Sequence, residues 1–228
     1  MWSRLLPERA DHRLTPDIAT AEIRAKVIEE LAPRMSDPSR DVLVEKNPKH
    51  SLRVAFLDAL FPDCRILHLI RDGRDTVASL MFRNRGANWG HLKIPGWKAL
   101  LERYPTQNHI RCAHQWHEAV RLARNEGTPL GPQRYHEVRF EDLAASPVAA
   151  VERILGFLGL ETTAAVRDAA AKIQDSTQDS YHAQRQVRHF VDNHAVRVGR
   201  WRENLSAQQV AEIAAVCGEL LRELGYEG

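Results

Sequence analysis

A short apolar strand that runs directly into a helix is the feature that most constrains this chain. The apolar residues lie nearly unbroken between Ile66 and Ile70, and turn-forming residues bound them at 62–63 and 72–73. Such a run is typical of a parallel strand that is covered on both faces. The following residues predict a turn at Gly73 and a helix that Asp75 caps. The chain is therefore expected to contain a strand–helix unit of an α/β sheet.

Two arginines and a serine lie at this strand–helix junction. Arg71 ends the strand, Ser79 lies in the first turns of the helix, and Arg83 follows four residues later on the same face. Ligands of open α/β sheets bind outside the carboxyl ends of strands, and helix N-termini favour anions. The three side chains are therefore candidates to converge on one phosphate. The alternative is a structural role, because each residue type is common at such positions.

Strands and helices alternate along much of the chain. Further strands are expected at residues 41–45 and 135–140, and helices at about 16–35, 49–60, 110–126 and 147–158. The last helix, within 206–225, begins with a capping box of Ser206 and Gln209. This order predicts an α/β fold with a mostly parallel sheet, in a single domain over residues 1–228.

Three segments depart from this alternation. Residues 1–40 form a helical lead-in, and residues 161–198 are polar with only a weak helical pattern. Residues 84–109 are rich in glycine and proline around Trp89, Trp97 and Tyr104, which predicts an irregular excursion at the mouth of a site. Its aromatic side chains could stack on an acceptor or simply hold the loop in place.

The charge and the cysteine content indicate which partners and which cellular compartment to expect. The chain has 32 basic and 30 acidic residues, a formal charge of +2, which gives no bulk attraction to nucleic acid or an anionic membrane. The amino terminus lacks the apolar core of a signal peptide. The cysteines, Cys64, Cys112 and Cys217, are widely spaced and predict neither a disulfide framework nor a thiolate metal site. A cytoplasmic location is the expectation.

Four motifs, taken in order, resemble the sulfotransferase family. They lie at residues 44–48 (Val-Glu-Lys-Asn-Pro), 60–79, 139–143 with the helix at Pro147, and 198–201 (Val-Gly-Arg-Trp). The Arg-Asp-Gly-Arg sequence after the strand is most similar to tyrosylprotein sulfotransferases and their bacterial relatives. The resemblance implies a P-loop-kinase-like three-layer fold. It also implies transfer of a sulfuryl group from 3′-phosphoadenosine-5′-phosphosulfate to a hydroxyl or amine, without a metal.

The resemblance also implies roles for individual residues. Arg71 and Ser79 would hold the nucleotide 3′-phosphate, and Arg83 would line the same pocket. An arginine fork with a hydroxyl suits a phosphate dianion. Lys46 would steady the transferring sulfuryl group, whose loose transition state places charge on the leaving oxygen.

The resemblance also implies that a carboxy-terminal loop closes over the nucleotide. Arg200 matches its basic position, with Arg197 as a second candidate, and the alternative for Arg200 is a surface arginine beside the packed Trp201. Phe140 occupies a position where many relatives have tyrosine, so that hydroxyl is absent.

One family signature is missing from the sequence. The first strand and its P-loop, of the type Pro-x-Ser-Gly-Thr-Thr, are apparently absent, because residues 1–40 contain no glycine. A truncated sulfotransferase is the favoured explanation, ahead of a degenerate relative or a strand supplied by a partner. Loss of a central strand is expected to leave unpaired backbone groups inside the sheet.

The sequence leaves alternatives open for the catalytic base and for the function of the chain. His50, four residues after Lys46, could deprotonate an acceptor hydroxyl or could pack at a helix start. A metal site at His109, Cys112, His114 and His117 is a minor alternative. The stronger rival is a non-catalytic nucleotide-binding or dimerisation module of the same fold. A small-molecule or peptide acceptor and a homodimer are the expected partners.

Overall fold

The computed structural model describes residues 9–35, 42–83, 92–172 and 198–226. Two parallel strands, β1 (Ile66–Ile70) and β2 (Tyr135–Arg139), pair in register from Ile66 opposite Tyr135 to Ile70 opposite Arg139. Helices surround them, and the chain thus has the α/β class with parallel strands that its sequence predicts. The first five helices are α1 (Ala21–Met35), α2 (Val54–Leu60), α3 (Gly73–Arg83), α4 (Trp97–Arg103) and α5 (Asn108–Gly127). The next five are α6 (Phe140–Ala145), α7 (Pro147–Leu158), α8 (Ala164–Ala171), α9 (Trp201–Asn204) and α10 (Ala207–Glu223).

The main core forms where α3, α5 and α10 pack beside the end of β1. Apolar residues recur at helical spacing on α5, and its Trp116 and Val120 are buried with Val77 of α3 and Ile213 of α10. Two smaller cores lie under the amino-terminal helix and under α4. The main core therefore supports the start of α3, where the predicted phosphate site lies.

The expectation that β1 is covered on both faces is wrong for the described residues. Leu67 and Leu69 share one face of the strand and are 40% and 52% exposed, whereas Ile70 on the opposite face is 2% exposed. The two strands pair directly with each other over residues 66–70 and 135–139.

The strand predicted at residues 41–45 is not formed in the part that the structure describes. Residues 42–47 have no regular secondary structure, and Val42, Leu43 and Val44 are exposed. A strand needs a neighbour for its backbone hydrogen bonds, and no described strand pairs with this segment. Residue 41 lies outside the described residues.

Of the three segments, 84–109 contains more helix than expected. Within 84–109, helix α4 buries Trp97 against a small core, while residues 84–91, including Trp89, lie outside the described residues. Within 161–198, helix α8 is described and residues 173–197 are not. The lead-in contains a 3-10 turn at Pro16–Ile18 and then α1.

The capping box of the last helix is confirmed. The Ser206 hydroxyl accepts the N–H of Gln209 at 3.2 Å, and the Gln209 side chain accepts the N–H of Ser206 at 2.9 Å. The helices that the structure describes include none with the length and apolar content that a membrane crossing requires.

Candidate functional site

Arg71 lies at the carboxyl end of β1 and is held by contacts on several sides. Its carbonyl oxygen accepts the indole N–H of Trp116 at 2.9 Å, which fixes the backbone against α5. Its guanidinium lies 4.8 Å from the centre of the Phe140 ring and 3.6 Å from the Asp75 carboxylate. The Arg71 side chain is 21% exposed, so its guanidinium is positioned and can still meet a ligand.

Asp72, and not Asp75, has the capping position at the start of α3. Its carboxylate accepts the backbone N–H of Arg74 at 2.8 Å and also bonds the Arg74 guanidinium at 2.8 Å. The prediction of Asp75 as the cap is wrong because α3 begins at Gly73, which places Asp75 inside the first turn.

Asp75 instead joins the start of α3 to the carboxy-terminal loop. One carboxylate oxygen accepts the N–H of Gly199 at 2.7 Å, and the other accepts the N–H of Trp201 at 2.8 Å. The Asp75 side chain is 1% exposed. Because Arg200 lies between the two donors, its backbone is held beside the residues that follow β1.

Trp201 packs this loop against the start of α3. The indole is buried, with the Arg74 guanidinium 4.2 Å from its ring centre and that of Arg202 at 4.4 Å. Arg200 itself is only half-buried. The loop thus has a fixed backbone and a basic side chain that is not enclosed.

Ser79 lies one turn beyond Asp75 on α3, so the two residues share a helix face. It is half-buried. The α3 backbone continues to Arg83, whose side chain lies outside the described residues, as does all of Arg197. The structure therefore brings the positions of Arg71, Ser79 and Arg200 to one region.

Lys46 and His50 lie around the 3-10 turn at Pro48–Leu52. Lys46 is exposed, and the Asn47 side chain caps the turn by accepting the N–H of Lys49 at 3.0 Å. His50 lies with its Nε2 3.5 Å from a Glu45 carboxylate oxygen. Burial, and then the charge of Arg53, lower the pKa of His50 to about 4 despite the opposing effect of Glu45.

Two functional relationships were missed by sequence reasoning. The first is the bond from Asp75 to the loop at residues 199–201, since nothing in the sequence says which element that loop meets. The second is Glu141, which accepts the N–H of Asp72 at 2.9 Å and the Tyr226 hydroxyl at 3.0 Å.

The histidines proposed as an alternative metal site have other contacts. His109 lies 2.5 Å from the Glu212 carboxylate, and His114 stacks on Tyr104 with ring centres 5.9 Å apart. Burial raises the pKa of Cys112 to about 12. In the described ranges, no three His, Cys, Asp or Glu side chains are grouped so that they could hold a metal ion.

A family model described as "Sulfotransferase family" matches residues 6–164 of the chain. That match covers more than half of the sequence, and the chain therefore belongs to the sulfotransferase family. The resemblance inferred from its motifs is confirmed.

Individual relatives differ in their acceptors. The chain is 25% identical over 227 residues to carbohydrate sulfotransferase 3 of Mus musculus, covering 96% of this chain and 40% of that protein. It is 24% identical to protein-tyrosine sulfotransferase 2 of Gallus gallus over 64% of this chain and 35% of that one. It is 30% identical to carbohydrate sulfotransferase 6 of Homo sapiens over 71% and 41%. The chain thus spans well under half the length of these relatives.

The chain is also similar to a solved structure. The mouse sulfotransferase SULT7A1 complexed with PAP superposes with a TM-score of 0.43 at 18% identity, over 75% of this chain and 62% of that chain.

Proposed function

We propose that this chain transfers a sulfuryl group from 3′-phosphoadenosine-5′-phosphosulfate to a hydroxyl or amine. Arg71 and Ser79 hold the nucleotide 3′-phosphate, and Arg200 covers it from the carboxy-terminal loop. The observation that carries this proposal is the Asp75 carboxylate, which holds that loop 2.7 to 2.8 Å away and lies 3.6 Å from Arg71. These contacts place the backbone at Arg200 near Arg71, beside the start of α3.

The chemistry of these groups suits a 3′-phosphate. The guanidinium of Arg71 offers paired donors, and Ser79 adds a neutral hydroxyl from α3. The partial positive charge of the helix N-terminus adds to the attraction. A site of this kind selects a donor with a 3′-phosphate over ATP, which has none.

Lys46 is assigned to the transferring group. A loose transition state moves negative charge onto the bridging oxygen of the leaving nucleotide, and an ammonium stabilises that charge. Lys46 is exposed and so can meet a bound donor.

The role of His50 as the catalytic base remains a prediction. With its pKa lowered to about 4, its imidazole is neutral at pH 7 but only weakly basic. Binding of an acceptor would have to raise that pKa before His50 could take a proton efficiently.

A non-catalytic nucleotide-binding or dimerisation module is the second candidate. The observation that favours it is that residues 1–72 contain no glycine, so these residues hold no Gly-rich amide loop for a 5′-phosphosulfate. Such a module would use Arg71 and Ser79 for binding without turnover.

Calorimetric titration with 3′,5′-adenosine bisphosphate tests nucleotide binding directly. We expect Arg71→Ala and Arg200→Ala to weaken binding, Arg71→Ala by about a hundredfold, since a charge-assisted contact contributes about 1.5–3 kcal/mol. Arg222→Ala, an exposed arginine on α10, is the matched control. Unchanged affinity in Arg71→Ala would remove the phosphate assignment.

A transfer assay then separates the two candidates. Labelled donor is offered with a panel of phenol, saccharide and amine acceptors. Nucleotide binding with transfer that Lys46→Ala abolishes supports the enzyme. Binding without transfer to any acceptor supports the module.

The compartment and the partners also belong to this proposal. Cys64, Cys112 and Cys217 are free thiols, which agrees with a reducing cytoplasm. A small-molecule or peptide acceptor and a homodimer remain predictions.

A further inference from the structure

Basic side chains gather around the 3-10 turn at Pro48–Leu52, directly after Lys46. His12 and Lys93 are joined by two hydrogen bonds, from the His12 N–H to the Lys93 carbonyl at 2.8 Å and from the Lys93 N–H to His12 Nδ1 at 2.9 Å. The next residue, Arg13, donates to the carbonyl of Leu52 at 2.8 Å. Two segments, at residues 12–13 and at residue 93, are thus held beside this turn.

The nearby carboxylates already have partners. Glu126 pairs with Arg13, and Asp11 accepts the backbone N–H of Arg13 at 2.9 Å. Glu45 lies 3.5 Å from His50 and 3.9 Å from Arg34. These carboxylates therefore contact groups other than Lys49 and Lys93.

Lys49 and Lys93 differ from the other basic residues here. In the part of the chain that the structure describes, neither lysine lies within 4.0 Å of a carboxylate oxygen. Both residues are half-buried. Among the described residues they have no carboxylate counter-ion.

The electrostatics of the cluster show that these charges act on one another. Burial, and then the charges of Arg53 and Lys93, lower the pKa of Lys49. Burial, and then the charges of Lys49, Lys93 and Arg53, lower the pKa of His12 to about 4, opposed only weakly by Asp11. Like charges held together at a half-buried position are unfavourable, and a bound anion would relieve that repulsion.

We propose that Lys49 and Lys93, beside His12, bind an anionic group on the acceptor, a carboxylate or a sulfate ester. The inference rests on the proposed function, because Lys46, which is assigned to the sulfuryl group, lies three residues before Lys49. An anion held at the two lysines would place the rest of the acceptor near the transferring group. The site therefore selects charged acceptors over neutral ones.

Calorimetric titration with two small anionic probes tests this site. A triglutamate peptide supplies carboxylates, and a trisulfated heparin disaccharide supplies sulfate esters. Each is titrated into protein saturated with 3′,5′-adenosine bisphosphate, so that the nucleotide site is occupied. We expect at least one probe to bind, and Lys49→Gln/Lys93→Gln to weaken it about tenfold. The probe that binds identifies the chemical source of the anion.

Lys98→Gln provides the matched control, because Lys98 is an exposed lysine on α4. It should leave both affinities unchanged, and the double variant should keep its nucleotide affinity, which shows that it is folded. If neither probe binds, or if the double variant binds them as tightly as the wild type, the proposal is overturned.

A further arm separates this inference from the proposed function. If the wild-type protein does not bind 3′,5′-adenosine bisphosphate, the proposed function fails. The two probes are then titrated into nucleotide-free protein. Binding that Lys49→Gln/Lys93→Gln weakens still establishes the anion site, and binding that this variant leaves unchanged overturns it.

Discussion

The carboxylate of Asp75 accepts the backbone N–H of Trp201 at 2.8 Å, a contact between residues separated by 126 positions in the sequence. The other oxygen of the same carboxylate bonds Gly199 and lies 3.6 Å from the Arg71 guanidinium. One buried group thus holds the carboxy-terminal loop and orients the arginine after β1. Because hydrogen bonds to a charged group are stronger than neutral ones, this contact stabilises the candidate nucleotide site and the fold together.

Asp75→Asn should damage stability and nucleotide binding together. The amide can accept only one of the two N–H groups, and its own N–H₂ faces the other donor. We expect a loss of about 2–4 kcal/mol in the free energy of unfolding by urea. Affinity for 3′,5′-adenosine bisphosphate should fall at least about tenfold because Arg200 is released. Asp168→Asn, at an exposed position on α8, is the control. Unchanged affinity in a folded Asp75→Asn variant would show that the loop does not contribute to binding.

Alanine at two helical glycines should change stability in opposite directions. A Cβ at Gly73 would lie 2.8 Å from two atoms of the Trp116 indole, the same side chain that bonds the Arg71 carbonyl. We expect Gly73→Ala to cost about 1–3 kcal/mol, since the indole must move. A Cβ at Gly156 meets no atom within 4 Å, so Gly156→Ala should stabilise by about 0.5–1 kcal/mol through helix propensity. Urea unfolding of both variants measures the difference, and equal signs would contradict the packing at Gly73.

Local sequence patterns correctly predicted the elements that depend on interactions within one segment. The apolar run of β1, the capping box at Ser206 and the Pro147 start of α7 each appear in the structure where the residues indicated. Residues 42–44 also have a strand pattern in the sequence, but they form no strand. A strand depends on a neighbour elsewhere in the chain, and a pattern within one segment cannot supply that information.

The candidate site could be predicted only in part for a similar reason. The sequence predicts Arg71 and Ser79 as ligands because both follow one strand, at a position where α/β proteins bind anions. Arg200 was identified by resemblance alone. Asp75, which holds the Arg200 loop to this region, was assigned the wrong role because its partner lies far away in sequence. The charge cluster at Lys49 and Lys93 was missed since the two lysines meet only through tertiary contacts.

Glu141 and Tyr226 should show a measurable coupling energy. The Tyr226 hydroxyl donates to the Glu141 carboxylate at 3.0 Å, and burial together with the charge of Glu141 raises the pKa of Tyr226, which keeps the donor protonated. A double-mutant cycle with Glu141→Gln and Tyr226→Phe should give about 1–2 kcal/mol of coupling in urea unfolding. The half-buried Tyr104 offers a control, because Tyr104→Phe should add to Glu141→Gln without coupling. Strict additivity for Tyr226 would show that the bond does not contribute to stability.

Stability should fall as the pH drops from about 6.5 to about 4, because two histidines are held neutral in the folded chain. Burial is the largest cause that lowers the pKa of both His12 and His50 from 6.5 to about 4, and Arg53 adds to the effect at each. The unfolded chain therefore binds more protons in this window, so stability is fully present above pH 6.5 and is lost as the pH falls through the folded pKa. The shift at His50 corresponds to about 3 kcal/mol, and the half-buried His12 adds less. Urea unfolding at several pH values should show a smaller loss for His12→Gln/His50→Gln than for the wild type. If the double variant keeps the wild-type slope between these pH values, the two histidines are not the groups that titrate.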